Sequence, residues 1–170
     1  MKTAMLTGSF DPVTNGHVEL IIRARKIFDK VYAAILINPD KLYLLTLKER
    51  LELLRSVICG IDGVEAVASE GTAAALARAC GVDCFVRGVR NADDYEYERV
   101  MAAYNYNDCG LDTVLFDAGD SYSAISSAMV KKLVKEGKSI ENFVPSQIRE
   151  KFERLAARIN IKSNNTETNS

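Results

Sequence analysis

Four short segments of this sequence carry side chains suited to handling phosphate. The first, Gly8-Ser9-Phe10-Asp11-Pro12-Val13-Thr14-Asn15-Gly16-His17, follows an apolar run and holds the only histidine of the chain. Gly8 permits a tight exit and a close approach of backbone to ligand. Gly16 and His17 fall where a helix opens, and there free N–H groups and the helix dipole favour an anion. An imidazole in that position can donate to a phosphate oxygen. A lone histidine is often a satisfied structural residue, but the Gly-bounded strand-to-helix loop favours a functional one. The second segment, Asn38-Pro39-Asp40-Lys41, puts an ammonium after another apolar run; alone it reads as a solvated loop lysine. The third, Val86-Arg87-Gly88-Val89-Arg90, offers two guanidinium forks with a glycine between them, a pattern that suits phosphate. The fourth, Tyr122-Ser123-Ala124-Ile125-Ser126-Ser127-Ala128, sets hydroxyls at a helix start. There they could cap the helix or, with backbone N–H groups, hold phosphates; capping alone would account for them.

Strand-like runs and helical patterns alternate to position these segments. Strands are expected near Ala4–Thr7, Val31–Ile37, Val64–Ala68, Val82–Val86 and Leu111–Phe116. Between and after them, helical stripes cover Gly16–Phe28, Thr46–Cys59, Gly71–Cys80, Asp93–Asn107, Ser126–Glu136 and Ser146–Asn160. Thr46 and Glu49 form a capping-box signature, Gly81 closes an Ala-rich helix, and Pro145 stands at a helix start. The pattern implies an α/β fold: a Rossmann-like, doubly wound five-stranded parallel sheet with helices on both faces. It is read as one domain over 1–160, with 161–170 a polar tail expected to be disordered. In such a sheet ligands bind beyond the carboxyl ends of the strands, where strand order reverses. That rule selects the four segments above.

Composition narrows the function. Lys plus Arg number 22 and Asp plus Glu 23, so the basic excess of a general nucleic-acid or membrane-surface binder is missing. No run of about 18 apolar residues is present, and a cytoplasmic protein is expected. Cys59, Cys80, Cys84 and Cys109 form no CxxC pair and share the chain with one histidine. They read as buried free thiols, and no metal-ligating set is assigned.

The segment Gly8–His17 resembles the GTFDPxTxGH signature of the phosphopantetheine adenylyltransferases, a branch of the nucleotidyltransferase superfamily marked by (H/T)xGH. Thr14-Asn15-Gly16-His17 is that motif in its Thr form, and Ser9 stands for the usual Thr. Lys41 falls on the family's active-site lysine, ahead of a matching Thr46-Leu-Lys-Glu-Arg50. Arg87–Arg90 resembles its RGLR motif, and Ser126-Ser127 its ISSS/ISST motif, with Ala128 in place of the third hydroxyl. The resemblance runs from about Ala4 to Ala156. It is weaker where Gly71-Thr72-Ala73 replaces an Asp-Leu-Met-like stretch, and at Asn105-Tyr106.

The resemblance implies attack by the phosphate of 4′-phosphopantetheine on the α-phosphorus of ATP, giving dephospho-coenzyme A and pyrophosphate. It implies catalytic roles for His17, Lys41, Ser9 and Arg90. Contacts to ATP are implied for Ser9, Phe10, His17, Gly88, Val89, Arg90, Glu98 and the run from Tyr122 to Ala128, namely Tyr122, Ser123, Ala124, Ile125, Ser126, Ser127 and Ala128. Contacts to the acceptor are implied for Ser9, Lys41, Ala73, Arg87 and Asn105. Mg²⁺ would ride mainly on the ATP phosphates. Feedback binding of coenzyme A and a homohexamer are implied too. Two readings compete: a related nucleotidyltransferase with another acceptor, such as nicotinate mononucleotide, and a non-catalytic nucleotide-binding protein on the same fold.

Overall fold

The computed structural model describes residues 1–119, 122 and 124–167, with side chains to 158. Its sheet comprises β1 (Thr3–Gly8), β2 (Lys30–Leu36), β3 (Val64–Ser69), β4 (Cys84–Val89) and β5 (Thr113–Asp117). All neighbours are parallel, in the order β3-β2-β1-β4-β5. The helices are α1 (Asn15–Arg25), α2 (Leu47–Ile58), α3 (Ala73–Cys80), α4 (Ala92–Cys109), α5 (Ser127–Lys135) and α6 (Ser146–Glu167). Strand order reverses between β1 and β4, so the loops after those strands diverge and leave a crevice.

Alternation along the central strands builds two cores. Ala4, Leu6, Ala33, Ile35 and Val86 face one side, where they join Ile21, Leu53, Leu54, Ile148 and Phe152 of α1, α2 and α6. Met5, Ala34 and Phe85 face the other, against Ala77 of α3. Both faces are covered, which is why these strands read as near-continuous apolar runs. The helix ends follow the sequence signals. Thr46 and Glu49 form a reciprocal capping box on α2, and Gly81 closes α3 in the left-handed conformation at φ 62°.

Three expectations need correction. β4 extends to Val89 because β5 pairs with it as far as Val89↔Asp117. Arg87 and Gly88 therefore sit on the strand's carboxyl end, not in the loop beyond it. α6 continues past residue 160 to Glu167, since no glycine or proline follows Pro145 to stop it. Of the cysteines, Cys84 is buried, Cys80 and Cys109 are partly buried, and Cys59 is exposed.

One buried carboxylate ties the loops together. Asp11, 1% exposed, accepts from the backbone N–H of Leu44 at 2.8 Å and of Leu45 at 2.9 Å. It also receives the Lys131 ammonium of α5 at 3.0 Å. Removing it orphans two backbone donors and the ammonium together. Asp11→Ala should therefore cost about 3 kcal/mol of stability in urea unfolding, the size expected for breaking a buried polar network. A loss below about 1 kcal/mol, the scale of an exposed ion pair, would contradict this account.

Candidate active site

A cavity of about 450 Å³ opens beyond the carboxyl ends of β1 and β4, at the reversal point of the sheet. Ser9, His17, Lys41, Arg87, Gly88 and Arg90 all line it, with Tyr122, Ile125, Ser126 and Ser127 at one side. Four separate segments of the chain meet at these residues. A smaller cavity of about 100 Å³ adjoins it and is lined by Ala73, Met101, Ala102 and Asn105. Thr7, Leu36, Arg87, Tyr97 and Glu98 line both.

His17 is the third residue of α1 and is fixed by its own helix start. Thr14 is the N-cap, and its hydroxyl accepts from the His17 N–H. In return the Thr14 N–H donates to Nδ1 of His17 at 3.0 Å, and Thr14 Oγ1 lies 2.9 Å from the same nitrogen. This is a capping box with an imidazole where Glu or Gln is usual. Nδ1 must be the acceptor, so the ring proton is on Nε2. The Phe10 ring lies 4.8 Å from the imidazole, tilted by 46°. Burial, then the charges of Arg87 and Arg90, lower the His17 pKa to about 4. His17 is thus a neutral donor near pH 7.

Gly8 and Phe10 pack against each other. A Cβ on Gly8 would meet the Phe10 ring at 3.2 Å. The missing side chain makes room for this ring, and Gly8 also lines the cavity. Phe10 itself is fully buried, with a left-handed φ of 46°. Its ring supports His17 and does not line the cavity.

Both arginines turn their forks inward. Arg87 grips Glu98 through Nε and Nη2 at 2.7 and 2.6 Å. Its Nη1 donates to the Thr7 carbonyl and to Thr7 Oγ1. Glu98, implied at the nucleotide, therefore has both oxygens on Arg87. Arg90 grips Asp94 through Nε at 2.7 Å and Nη2 at 3.2 Å. That bond holds the Asp94 carboxyl below its ordinary pKa. Asp94 is a further residue at this site, and its i, i+4 spacing from Arg90 is the signal that marks it in the sequence. An added Cβ at Gly88 would lie 3.1 Å from Cδ2 of Leu20, which would have to give by a few tenths of an ångström.

At α5, Ser126 is the N-cap and accepts from the Met129 N–H. Its O–H remains available to donate. Ser127 spends its hydroxyl on the Pro12 carbonyl at 2.7 Å, tying α5 to the first loop instead of leaving it for a phosphate. Val89, Ala124 and Ala128 are not among the cavity-lining residues, and Ser123 lies outside the described residues. The cavity also has lining residues that the sequence reading missed. Glu19, Leu20 and Arg23 project from α1, and Tyr43 from the loop after β2. Helical spacing from Gly16, at i+3, i+4 and i+7, could have found the first three; nothing local marked Tyr43.

The sequence matches the family described as cytidylyltransferase-like over residues 5–133. A phosphopantetheine adenylyltransferase of Frankia alni is 36% identical over 152 residues, spanning 87% of this chain and 94% of that protein. One from Clostridium beijerinckii is 38% identical over 162 residues, spanning 95% and 100%. Among solved structures, a candidate nicotinate-nucleotide adenylyltransferase from Vibrio parahaemolyticus superposes with a TM-score of 0.66 at 17% identity, covering 89% of this chain and 99% of that one. At that identity it bears on the fold alone.

The histidine geometry gives a direct test. Because the chain has one histidine, its imidazole resonances need no sorting. In the unliganded protein His17 should titrate with a midpoint near 4 and show the Nε2–H tautomer at pH 7. Between about 4 and the unfolded value near 6.5 the unfolded chain binds the extra proton, so this group's contribution to stability rises with pH across that window. A midpoint between 6 and 7 would mean the ring is neither desolvated nor held by Thr14.

Proposed function

We propose a division of labour at this site from one premise: the chain belongs to the phosphopantetheine adenylyltransferase family. It is an adenylyltransferase that moves AMP from ATP to 4′-phosphopantetheine and releases pyrophosphate. The observation that carries the roles below is the convergence of His17, Lys41, Arg87 and Arg90 on one cavity at the sheet's reversal point.

An acceptor phosphate oxygen attacks the α-phosphorus. A P–O bond forms, the α–β bridging bond breaks, and its electrons leave with pyrophosphate. The protein supplies no nucleophile; it brings two anions together and stabilises charge on the reacting phosphoryl group. His17 would donate Nε2–H to an α-phosphate oxygen in the transition state. A neutral imidazole suits this role, since it donates without giving up its proton. Lys41 would bridge the same phosphate and the incoming oxygen. Ser9 and Arg87 would seat the acceptor phosphate, with the pantetheine arm in the smaller cavity beside Ala73 and Asn105. The nucleotide would lie on the side of Gly88, Arg90, Tyr122, Ile125 and Ser126.

Magnesium fits as a passenger of the nucleotide. Glu98 and Asp94 are committed to arginines. Among the described residues no three His, Cys, Asp or Glu side chains are grouped to hold an ion. Bound to phosphate oxygens, Mg²⁺ would neutralise charge on the leaving group. No described helix is long and apolar enough to cross a membrane, which agrees with the proposed cytoplasmic site of action. The exposed apolar side chains of Tyr97, Val100 and Tyr104 on α4 support a homohexamer, which would cover part of them. Coenzyme A, which contains the acceptor's arm, would compete at the same site as a feedback ligand.

His17→Ala should lower kcat about 10²–10³-fold, the loss seen when a transition-state donor is removed, while ATP affinity changes little. Pyrophosphate release followed with ATP and 4′-phosphopantetheine, and separately with nicotinate mononucleotide, checks this. Unchanged turnover in the variant would discard the role given to His17. Turnover confined to nicotinate mononucleotide would overturn the acceptor.

A further inference from the structure

We propose that Tyr43 is a positioning residue for Lys41, a role that rests on the reading of Lys41 above. Lys41 is exposed and sits in residues 38–45, which form neither helix nor strand. A lysine stem is flexible, so placement of its ammonium must come largely from the backbone that carries it. Tyr43 holds that backbone. Its hydroxyl accepts from the Asn38 N–H at 2.7 Å and donates to the Asn38 carbonyl at 3.3 Å. The Lys41 N–H donates to the same Asn38 carbonyl at 3.0 Å. One carbonyl therefore joins the tyrosine hydroxyl to the lysine backbone, and both side chains line the large cavity.

The ring is itself held from beneath. The Arg50 guanidinium lies 4.0 Å from the Tyr43 ring centroid, within cation–π range. Arg50 is 1% exposed, and among the described residues it forms no salt bridge. It donates to the Ser9 carbonyl at 3.0 Å. One buried cation thus touches the loop that carries Ser9 and the ring that sets the loop of Lys41. The Asp11 bonds to Leu44 and Leu45 anchor the other side of Tyr43. Only a hydroxyl can accept and donate at Asn38 in this way, so phenylalanine would keep the stacked ring and lose the loop closure.

The test compares Tyr43→Phe, Lys41→Ala and the double variant in the two-substrate assay, with thermal unfolding of each. Tyr43→Phe should lower kcat about fivefold, the net effect of one hydrogen bond. The KM for ATP and the unfolding temperature should stay near those of the parent. In the Lys41→Ala background the same change should cost nothing further, because the residue it positions is gone. A fivefold loss that persists there, or full turnover in Tyr43→Phe while Lys41→Ala is impaired, overturns this inference alone. Full turnover in Lys41→Ala overturns the role of Lys41 and this inference with it.

Discussion

The Asp11 carboxylate sits at the junction of three chain segments, and its bonds keep them at one distance from one another. One oxygen takes the N–H of Leu44 and the Lys131 ammonium, and the other takes the N–H of Leu45. The loop after β1, the loop after β2 and α5 are therefore bound to a single group. Each belongs to a different part of the chain, and none would fix its neighbours by local propensity. A parallel sheet supplies the crevice, but the loops over it have no ladder of their own. A buried carboxylate with directed partners supplies that missing order.

The same economy governs the cations around the cavity. Arg87 and Arg90 approach the same space and would repel one another if unbalanced. Each instead has a carboxylate behind it, Glu98 and Asp94. His17 stays neutral because its surroundings disfavour a further proton. Part of that disfavour comes from the arginines themselves, so cationic side chains and a neutral donor are consistent with each other. Protonation of His17 at Nδ1 would break the bond from the Thr14 N–H as well as add charge. Ring orientation and protonation state are thus set by the same contacts.

Much of the fold was legible because buried parallel strands and capped helices write their signals locally. Thr46 with Glu49, Gly81, and the apolar run of β2 each report their own element. His17, Arg87 and Arg90 were legible for a different reason: the reversal rule for parallel sheets selects their segments without needing their conformation, whereas Lys41 stood out only through the family resemblance. What escaped was long-range. Asp11 acts on residues 33, 34 and 120 positions away, and no local pattern encodes such a bond. The packing of the Phe10 ring against His17 was equally silent, because it follows from a left-handed backbone at Phe10 that no local pattern announces. Ser127 read as a phosphate donor, and only the approach of Pro12 shows where its hydroxyl goes.

The inward turn of the two guanidinium forks changes what they can offer a substrate. Arg87 uses Nε, one Nη2 hydrogen and Nη1 on protein atoms. One Nη2 hydrogen is left for a ligand unless Glu98 lets go. Arg90 uses Nε and one Nη2 hydrogen, which leaves its outer edge free. The two residues are therefore unequal, although the sequence presents them as a pair around Gly88. Arg87 is a rigid, single-contact cation shared by both cavities, suited to marking one oxygen at their junction. Arg90, with more donors free, suits a polyphosphate that presents several oxygens. How many donors each carboxylate leaves is a quantity that the motif alone does not contain.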